Sequence, residues 1–554
     1  MRRLLERDLT RQIDILDEKS APRIIHSGED ILVEHLPAGT RVIYPNPPMR
    51  PLANPRAAIR YALNHPIDSD PLHALLRPGM KLTIAMDDIS LPLPMMKTPD
   101  IRQLMLEAVL EMAADYGVDD IELIIAVSLH RHMHDFEVKR MVGEKIFNAY
   151  WPDKLYNHDA EDRENIVSLG FTEHPDPSIA SDGRSEPGGE EVPHRREEVA
   201  LNRRAVESDL LVYLNINLVP MDGGNKSVSV GLASYESVRA HHNSATMVKC
   251  HSYMDPKSSA LADSVDRMGK LTLSALKIFQ VETCLNNDYF GDSPLAFLGK
   301  REDELTRLER AALDATVWSL KKMPREAKRR MFHAMPANYG LVAVNAGETN
   351  AVHQRTLDVN FGQYNVQVKG QADVLVCGVP FISPYNANSI LNPILVQVMG
   401  LGYFFNMYRG KPLLKKGGVL ILTHPMPDAF NATHHPSYIE FFHRLLPETT
   451  DSATLEKRYE EEFARNPTYI EMYRHGNAYH PVHPFYMWYW GEAGRQHVGK
   501  VIAVGTDDDF VPRTLGWASA PDLTTALDMA RDYTSPNPQI TMMHHPPIVI
   551  AEME

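Results

Sequence analysis

Short apolar runs, separated by helical patterns, predict the architecture of this chain. Runs of this length, bounded by turn residues, suit buried strands. They lie at residues 81–86, 121–127, 210–216, 341–344, 372–377, 419–422 and 501–504. Helical spacing dominates residues 302–335, where many charges lie on one side. Strands that alternate with helices are typical of α/β proteins with parallel sheets, so α/β is the predicted fold class.

The length of the chain predicts more than one domain. A chain of 554 residues is too long for a single hydrophobic core. We predict an N-terminal cofactor-binding domain at residues 20–297, a helical connector at 298–335 and a C-terminal α/β domain at 336–554. The active site is expected in the cleft between the two domains. A polar, proline-rich stretch at 173–199 predicts a long surface loop.

Composition narrows the class of protein. The net charge of −15 argues against a general nucleic-acid surface. No apolar run approaches the length of a membrane span, and charges near Met1 occupy the place of a signal peptide's apolar stretch. The only cysteines are Cys250, Cys284 and Cys377, which excludes a disulfide scaffold or a cysteine-rich metal site. We therefore expect a cytoplasmic protein with no nucleic-acid or membrane partner.

Polar side chains follow two of the predicted strands. Asp88 and Ser90 come after the run at 81–86. His130 and Arg131 come after the run at 121–127, with two further histidines at 132 and 134. Open α/β sheets bind ligands at the carboxyl ends of parallel strands. Histidine and arginine at such an end suit acid/base chemistry and anion binding.

A third segment combines Gly223, Gly224 and Lys226 with His242, sixteen residues after the lysine. A glycine pair lets the backbone approach a ligand closely and leaves amides free. A lysine beside it can pair with a phosphate or bond covalently to a carbonyl-type group. Histidine is the commonest metal ligand. By contrast, no GxGxxG after a strand, no GxxxxGK[ST] and no GxSxG is present, so a nicotinamide site, a nucleotide triphosphatase and a serine hydrolase lack support.

Taken together, these segments resemble the nickel-pincer-dependent lactate racemase family of 2-hydroxyacid racemases and epimerases. The resemblance is carried, in family order, by residues 64–94, by the LHRHM segment at 129–133, by 157–172, by 201–220 and by 223–242. It implies a nickel ion held by a pyridinium-derived pincer mononucleotide, made by dedicated cofactor-synthesis enzymes. The substrate would be a small-molecule hydroxyacid, and the reaction an isomerisation by transient hydride transfer.

The resemblance also implies roles for individual residues. Lys226 matches the lysine that links to the cofactor in some members, and His242 matches a nickel ligand. His130 matches one of two acid/base histidines. Five further residues are expected to bind the cofactor, from the resemblance or from their place at a strand end or glycine turn: Asp88, Ser90, Arg131, Gly223 and Gly224.

Two departures from the family pattern change the expected substrate. Leu91 replaces the arginine that holds the substrate carboxylate, and Met221 stands where the second catalytic histidine is expected. A thioether cannot take a proton at neutral pH. We therefore expect a 2-hydroxyacid larger than lactate, with a second acid/base group from His132, His134, His251 or the segment at 475–483. The alternatives are a one-base redox enzyme that uses the same cofactor and a non-catalytic cofactor-binding protein.

Overall fold

The computed structural model describes residues 12–174, 196–291 and 293–554 and has a mixed α/β fold. Two large sheets organise it. The first sheet has six strands, all parallel except the antiparallel edge strand at 341–347. Their order across the sheet is Leu341–Gly347, Ile278–Leu285, Leu210–Asn217, Lys81–Asp87, Asp120–Ala126 and Leu155–Asn157. The α/β fold class predicted from the apolar runs is confirmed.

The second sheet has nine strands. Its main path runs through Ile13–Ile15, Arg41–Ile43, Ile540–Met543, Ala372–Pro380, Leu414–Thr423, Lys500–Val504 and Ala518–Ala520. A hairpin of Arg23–Gly28 and Asp30–Glu34 joins this sheet through the end of Ala372–Pro380. Two smaller sheets comprise Asn365–Val368, Ile550–Met553 and Tyr408–Arg409, and Ile166–Glu173 with Arg196–Asn202.

Helices cover the faces and ends of these sheets. The α-helices in the first half of the chain are Pro55–Asn64, Leu72–Leu75, Ile101–Asp115, Asp135–Val142, Glu144–Tyr150, Arg203–Val206, Asn225–Ser229, Tyr235–His241, Ser244–Met247 and Ala260–Ala275. Those in the second half are Arg307–Lys322, Arg325–Ala334, Thr349–Tyr364, Pro393–Gln397, Pro436–Glu440, Ser452–Leu455, Glu461–Ala464, Pro467–Arg474, His483–Trp490, Glu492–His497, Phe510–Thr514 and Leu523–Tyr533. Within the described ranges, no helix is long and apolar enough to cross a membrane.

The predicted strands are confirmed, although the observed strand ends differ from the predicted ones by a few residues. Sheet membership, however, differs from the predicted division of the chain. The strand Leu341–Gly347 lies in the first sheet, although it was predicted for the C-terminal domain, and the hairpin strands within 23–34 lie in the second sheet. The domain boundaries themselves stay a prediction. Most of the predicted loop at 173–199 lies outside the described residues, and its two ends belong to strands.

The predicted connector is helical but interrupted, because Pro324 separates Arg307–Lys322 from Arg325–Ala334. It packs on the hairpin of the second sheet. Ile24 and Ile31 of the hairpin share a buried apolar cluster with leucines of the connector. Two of the hairpin's acidic residues also form ion pairs with the second connector helix. The connector therefore holds the hairpin in place.

Glu302 fixes the start of the connector to the second sheet. Its buried carboxylate accepts hydrogen bonds from the Ile24 amide, the Tyr44 hydroxyl and the His544 ring, at 2.7 to 2.8 Å. Arg23 adds an ion pair at 3.4 Å. Burial alone would raise the pKa of Glu302, but the His544 imidazole and the hydrogen bonds outweigh it and lower the pKa to about 2.

We expect Glu302→Gln to lower the free energy of unfolding at neutral pH by on the order of 3 kcal/mol, because it leaves buried partners unpaired. A carboxyl group with a depressed pKa stabilises the fold above its unfolded pKa, and that contribution is lost as the pH falls through the folded value. The difference from wild type should therefore shrink between about pH 4.5 and pH 2. Denaturant unfolding at several pH values measures it. Glu304→Gln, at an exposed neighbour, is the control, and an equal effect there would refute the assignment.

Candidate functional site

A cavity of about 310 Å³ lies at the carboxyl ends of strands from both sheets. From the first sheet, Asp88 and His130 line it after Lys81–Asp87 and Asp120–Ala126. From the second sheet, Pro380 and His545 line it at or just after the ends of Ala372–Pro380 and Ile540–Met543. This is where open α/β proteins bind their ligands. Ser90, Gly223, Lys226 and His242 line the same cavity, so the structure brings most of the predicted site residues together.

His130 is held by Asp88. The backbone turns through Ser128, whose φ of +51° is unusual for a residue other than glycine. Nδ1 of His130 then lies 2.8 Å from Oδ2 of Asp88, while the Ser90 amide donates to the other carboxylate oxygen at 2.9 Å. Burial would raise the pKa of Asp88, but the His130 imidazole and the bonds from Ser90 hold it below its usual value. The ionised carboxylate accepts the Nδ1 proton, which leaves Nε2 of His130 as a proton acceptor.

Lys226 is a buried amine near two buried acids. It lies in the short helix Asn225–Ser229. Burial lowers its pKa, and the neighbouring Asp222 and Asp87 oppose that effect. Burial in turn raises the pKa of Asp222, and raises that of Asp87 to about 7. A desolvated lysine has more of the neutral, nucleophilic form than an exposed one.

The glycine pair before Lys226 is required by the fold itself. Gly223 and Gly224 have φ values of +87° and +60°, which favour glycine. A Cβ on Gly223 would lie 2.5 Å from a Glu282 carboxylate oxygen, and a Cβ on Gly224 would lie 2.8 Å from the His353 ring. Gly223 lines the cavity, but the Gly224 amide donates to Glu282 at 2.6 Å. Gly224 thus has a packing role, and its contact with a ligand stays a prediction.

His242 ends the helix Tyr235–His241 and faces the cavity. Its ring stacks on Trp490 at 5.5 Å between centroids, and its Nδ1 lies 2.6 Å from Nδ1 of His241. Burial holds the pKa of His242 well below its usual range, and the neighbouring His241 and Lys226 add to the effect. The neutral imidazole is the form that binds metals. In the described part of the chain, no group of three or more His, Cys, Asp or Glu side chains could hold a metal ion.

Arg131, like Gly224, is a predicted site residue that does not line the cavity. Its guanidinium donates to both carboxylate oxygens of Glu137, at 2.8 and 2.7 Å, and both side chains are buried. A further bond reaches the carbonyl of Ala387 at 3.1 Å. Bidentate arginine–carboxylate pairs fix geometry strongly. Arg131 thus positions the turn that carries His130, and its contact with a cofactor stays a prediction.

His483 lies beside His130 and lines the cavity. The two ring centroids are 5.6 Å apart in an edge-to-face arrangement. His483 begins the buried helix His483–Trp490, and its Nδ1 shares a hydrogen bond with the Tyr438 hydroxyl. Burial holds the pKa of His483 well below its usual range, and the nearby His130 adds to the effect. His483 thus presents a neutral imidazole to the cavity that His130 also lines.

The other histidine candidates lie elsewhere. His132 packs on Tyr473, and His134 pairs with His434. His251 and His475 are exposed. His480 bonds Glu161 at 3.0 Å and does not line the cavity.

Comparisons with known proteins point to one family. A family model described as the lactate racemase N-terminal domain matches residues 31–179 and 192–254. The lactate racemase of Lactiplantibacillus plantarum is 27% identical over 189 residues, which are 33% of this chain and 38% of that protein. A lactate racemase apoprotein from Thermoanaerobacterium thermosaccharolyticum superposes with a TM-score of 0.57, covering 96% of this chain and 100% of its own, at 17% identity. The N-terminal part of the chain is therefore similar in sequence to the lactate racemase family, and the whole chain shares the fold of a lactate racemase apoprotein.

A second solved structure shares the fold of this chain. It is a Thermotoga maritima protein from a structural genomics consortium, with a TM-score of 0.51, 13% identity and coverage of 92% of this chain and 100% of its own. At these identities the structural matches show the fold alone. The sequence match spans about two fifths of the curated relative's length.

The two departures from the family pattern both lie at the cavity. Leu91 and Met221 line it, at the positions where the resemblance implied an arginine and a histidine. His483 was named only as one of several candidates within 475–483, because its sequence distance from His130 gives no sign of contact. The usable signal was the dense aromatic and histidine composition of 475–490, which is rare on a surface.

Proposed function

We propose that this protein is a racemase or epimerase that acts at a hydroxyl-bearing carbon, with a nickel-pincer nucleotide as its cofactor. The observation that carries the proposal is the pair of imidazoles from His130 and His483, 5.6 Å apart on one cavity that Lys226 and His242 also line. Inversion of a carbinol carbon needs proton transfer to and from its hydroxyl group, and two adjacent imidazoles suit that task.

The residues present fit the metal-bearing end of that cofactor. His242 offers a neutral imidazole, a ligand type that suits nickel. A metal held beside it would take its other ligands from the nucleotide, since the described residues form no protein-only site. Lys226 is buried and close enough to the cavity to form the covalent link that the resemblance implies. When bound, the nucleotide supplies a hydride acceptor next to the substrate.

The protein's own groups handle the hydroxyl proton. Nε2 of His130 accepts it, and the Asp88 carboxylate stabilises the resulting imidazolium. His483 is anchored through Nδ1 to the Tyr438 hydroxyl, which can donate or accept as the ring changes tautomer. His483 can therefore return a proton to the carbonyl oxygen.

Two alternatives are less well supported. A one-base redox enzyme needs a single acid/base histidine at the cavity, whereas two line it. A non-catalytic carrier gives no reason for the Asp88–His130 pair, which orients a proton acceptor towards the ligand space. The imidazole pair would flank a carbinol group, which the 2-hydroxyacids implied by the resemblance share with other secondary alcohols.

We expect His242→Ala to lose most of the nickel from protein made beside the cofactor-synthesis enzymes, because a metal ligand is removed. Elemental analysis measures the nickel content. His434→Ala is the control, since His434 is a buried histidine that does not line the cavity. Equal nickel in the two variants would overturn the assignment of His242.

We expect His130→Ala and His483→Ala each to lower the rate of inversion by roughly 10²-fold or more, with nickel loading unchanged. Chiral chromatography on a panel of secondary hydroxy compounds measures the rate. His475→Ala, at an exposed histidine, should behave as wild type. If His483→Ala kept full activity, the one-base alternative would be favoured.

A further inference from the structure

The substrate end of the cavity lacks a cation for a carboxylate. Among the described residues that line the cavity, Lys226 is the only lysine or arginine. It lies near Asp222 and Asp87, and the proposed function assigns it to the cofactor. Leu91 occupies the position of the missing arginine and packs against the main apolar core. A carboxylate on the reacting carbon would thus be desolvated without a bidentate partner.

The acidic residues that line the cavity cannot pair with a carboxylate. Asp87, Asp88 and Asp222 all line it, and burial raises the pKa of Asp87 and Asp222. Asp88 is the ionised partner of His130, so its negative charge is fixed there. A like charge close to a buried carboxylate is unfavourable. A substrate carboxylate beside His130 would meet this repulsion in addition to its desolvation.

The part of the lining that comes from residues 289–548 is apolar. Within the described ranges, these lining residues include no Lys, Arg, Asp or Glu. Most of them are aromatic, aliphatic or methionine side chains, such as Phe290, Phe332 and Met399. Burial lowers the pKa of His545, and that of His26 from the N-terminal hairpin, to about 3, so neither offers a positive charge at physiological pH.

The imidazole pair itself sits among rings. Tyr385 lies 5.3 Å from His130 and 4.9 Å from His483, between ring centroids. The Tyr385 hydroxyl bonds that of Tyr403 at 3.0 Å. Rings packed edge-to-face around a reaction centre favour a flat apolar group over an ion.

From these observations we infer that the substrate is an uncharged secondary alcohol, with an aromatic-sized apolar group and no carboxylate on its carbinol carbon. This inference rests on the proposed function and narrows its substrate class. An imidazole would take the O–H proton of the alcohol, and a bound cofactor would supply the acceptor for the C–H hydrogen and its bonding electrons, which leaves a neutral ketone. Return of the hydride to the other face of the carbonyl carbon, with return of the proton to its oxygen, would give the opposite enantiomer, so no net oxidant is consumed.

A matched pair of ligands tests the inference on the cofactor-loaded protein. Acetophenone and phenylglyoxylate share a phenyl ketone and differ by the carboxylate, and they correspond to 1-phenylethanol and mandelate. We expect calorimetry to show acetophenone binding at least about 10-fold more tightly, since an unpaired buried charge costs more than 1.4 kcal/mol. Chiral chromatography should show 1-phenylethanol inverted faster than mandelate.

Leu91→Arg should reverse the preference, because a charge-assisted hydrogen bond to the carboxylate is worth about 10- to 100-fold in affinity. Leu91→Met is the matched control, since it adds length without charge. Tighter binding of phenylglyoxylate to the unmodified protein, or mandelate inverted as fast as 1-phenylethanol, would overturn the substrate class while leaving the racemase proposal intact. Acetophenone binding without any inversion would instead keep the substrate class and contradict the racemase.

Discussion

Exclusion of water from the cavity sets the protonation states on which the site depends. Burial lowers the pKa of Lys226, His242 and His483, and raises that of Asp87 and Asp222. Each shift favours the uncharged form, as desolvation requires. Neutral imidazoles can bind a metal or accept a proton, and a neutral amine can form a covalent bond. The same dry, mostly apolar environment makes an additional unpaired carboxylate costly.

Asp88 is the exception among these buried groups, and it orients His130. Its carboxylate stays ionised, because His130 and Ser90 bond to it despite its burial. This fixed negative charge selects one tautomer of His130 and stabilises the imidazolium that forms when His130 takes a proton. His483 has a tyrosine instead of a carboxylate as its partner. The two imidazoles are therefore unequal, although they face the same space.

Both sheets are needed to build this arrangement. His130 follows a strand of the first sheet, whereas His483 begins a helix some 350 residues later in the chain. The strands before residue 44 lie in the second sheet, and Glu302 bonds both to Ile24 in one of these strands and to His544 near the C-terminus. These contacts hold the first part of the chain against the second sheet. Such ties restrict relative movement of the two walls, which suits a site that requires a fixed separation of two rings.

Sequence patterns predicted the parts of this structure that depend on local order. Apolar runs located the strands, and the polar residues after them located Asp88 and His130. Lys226 and His242 followed from the resemblance and line the same cavity. The role of Arg131 was missed, because its pairing with Glu137 depends on side-chain directions that spacing does not reveal.

Sequence patterns also could not predict contacts between residues that are far apart in the chain. The strands before residue 44 pair with strands beyond residue 370, and short edge strands have weak periodicity. The proximity of His483 to His130 has the same origin. Met221 led to the expectation of a second acid/base group from another segment, but the sequence did not indicate which one.

Magnetic resonance of the histidine side chains tests the imidazole pair most directly. The His483 ring signal can be assigned by its loss in His483→Gln and followed between pH 8 and pH 5. We expect it to stay in the neutral form throughout, because burial holds the pKa of His483 well below 6.5, and to shift when His130 is replaced by glutamine. Titration of His483 with a midpoint near 6.5, as in a reference peptide, together with no response to His130→Gln, would contradict a buried pair that shares one cavity.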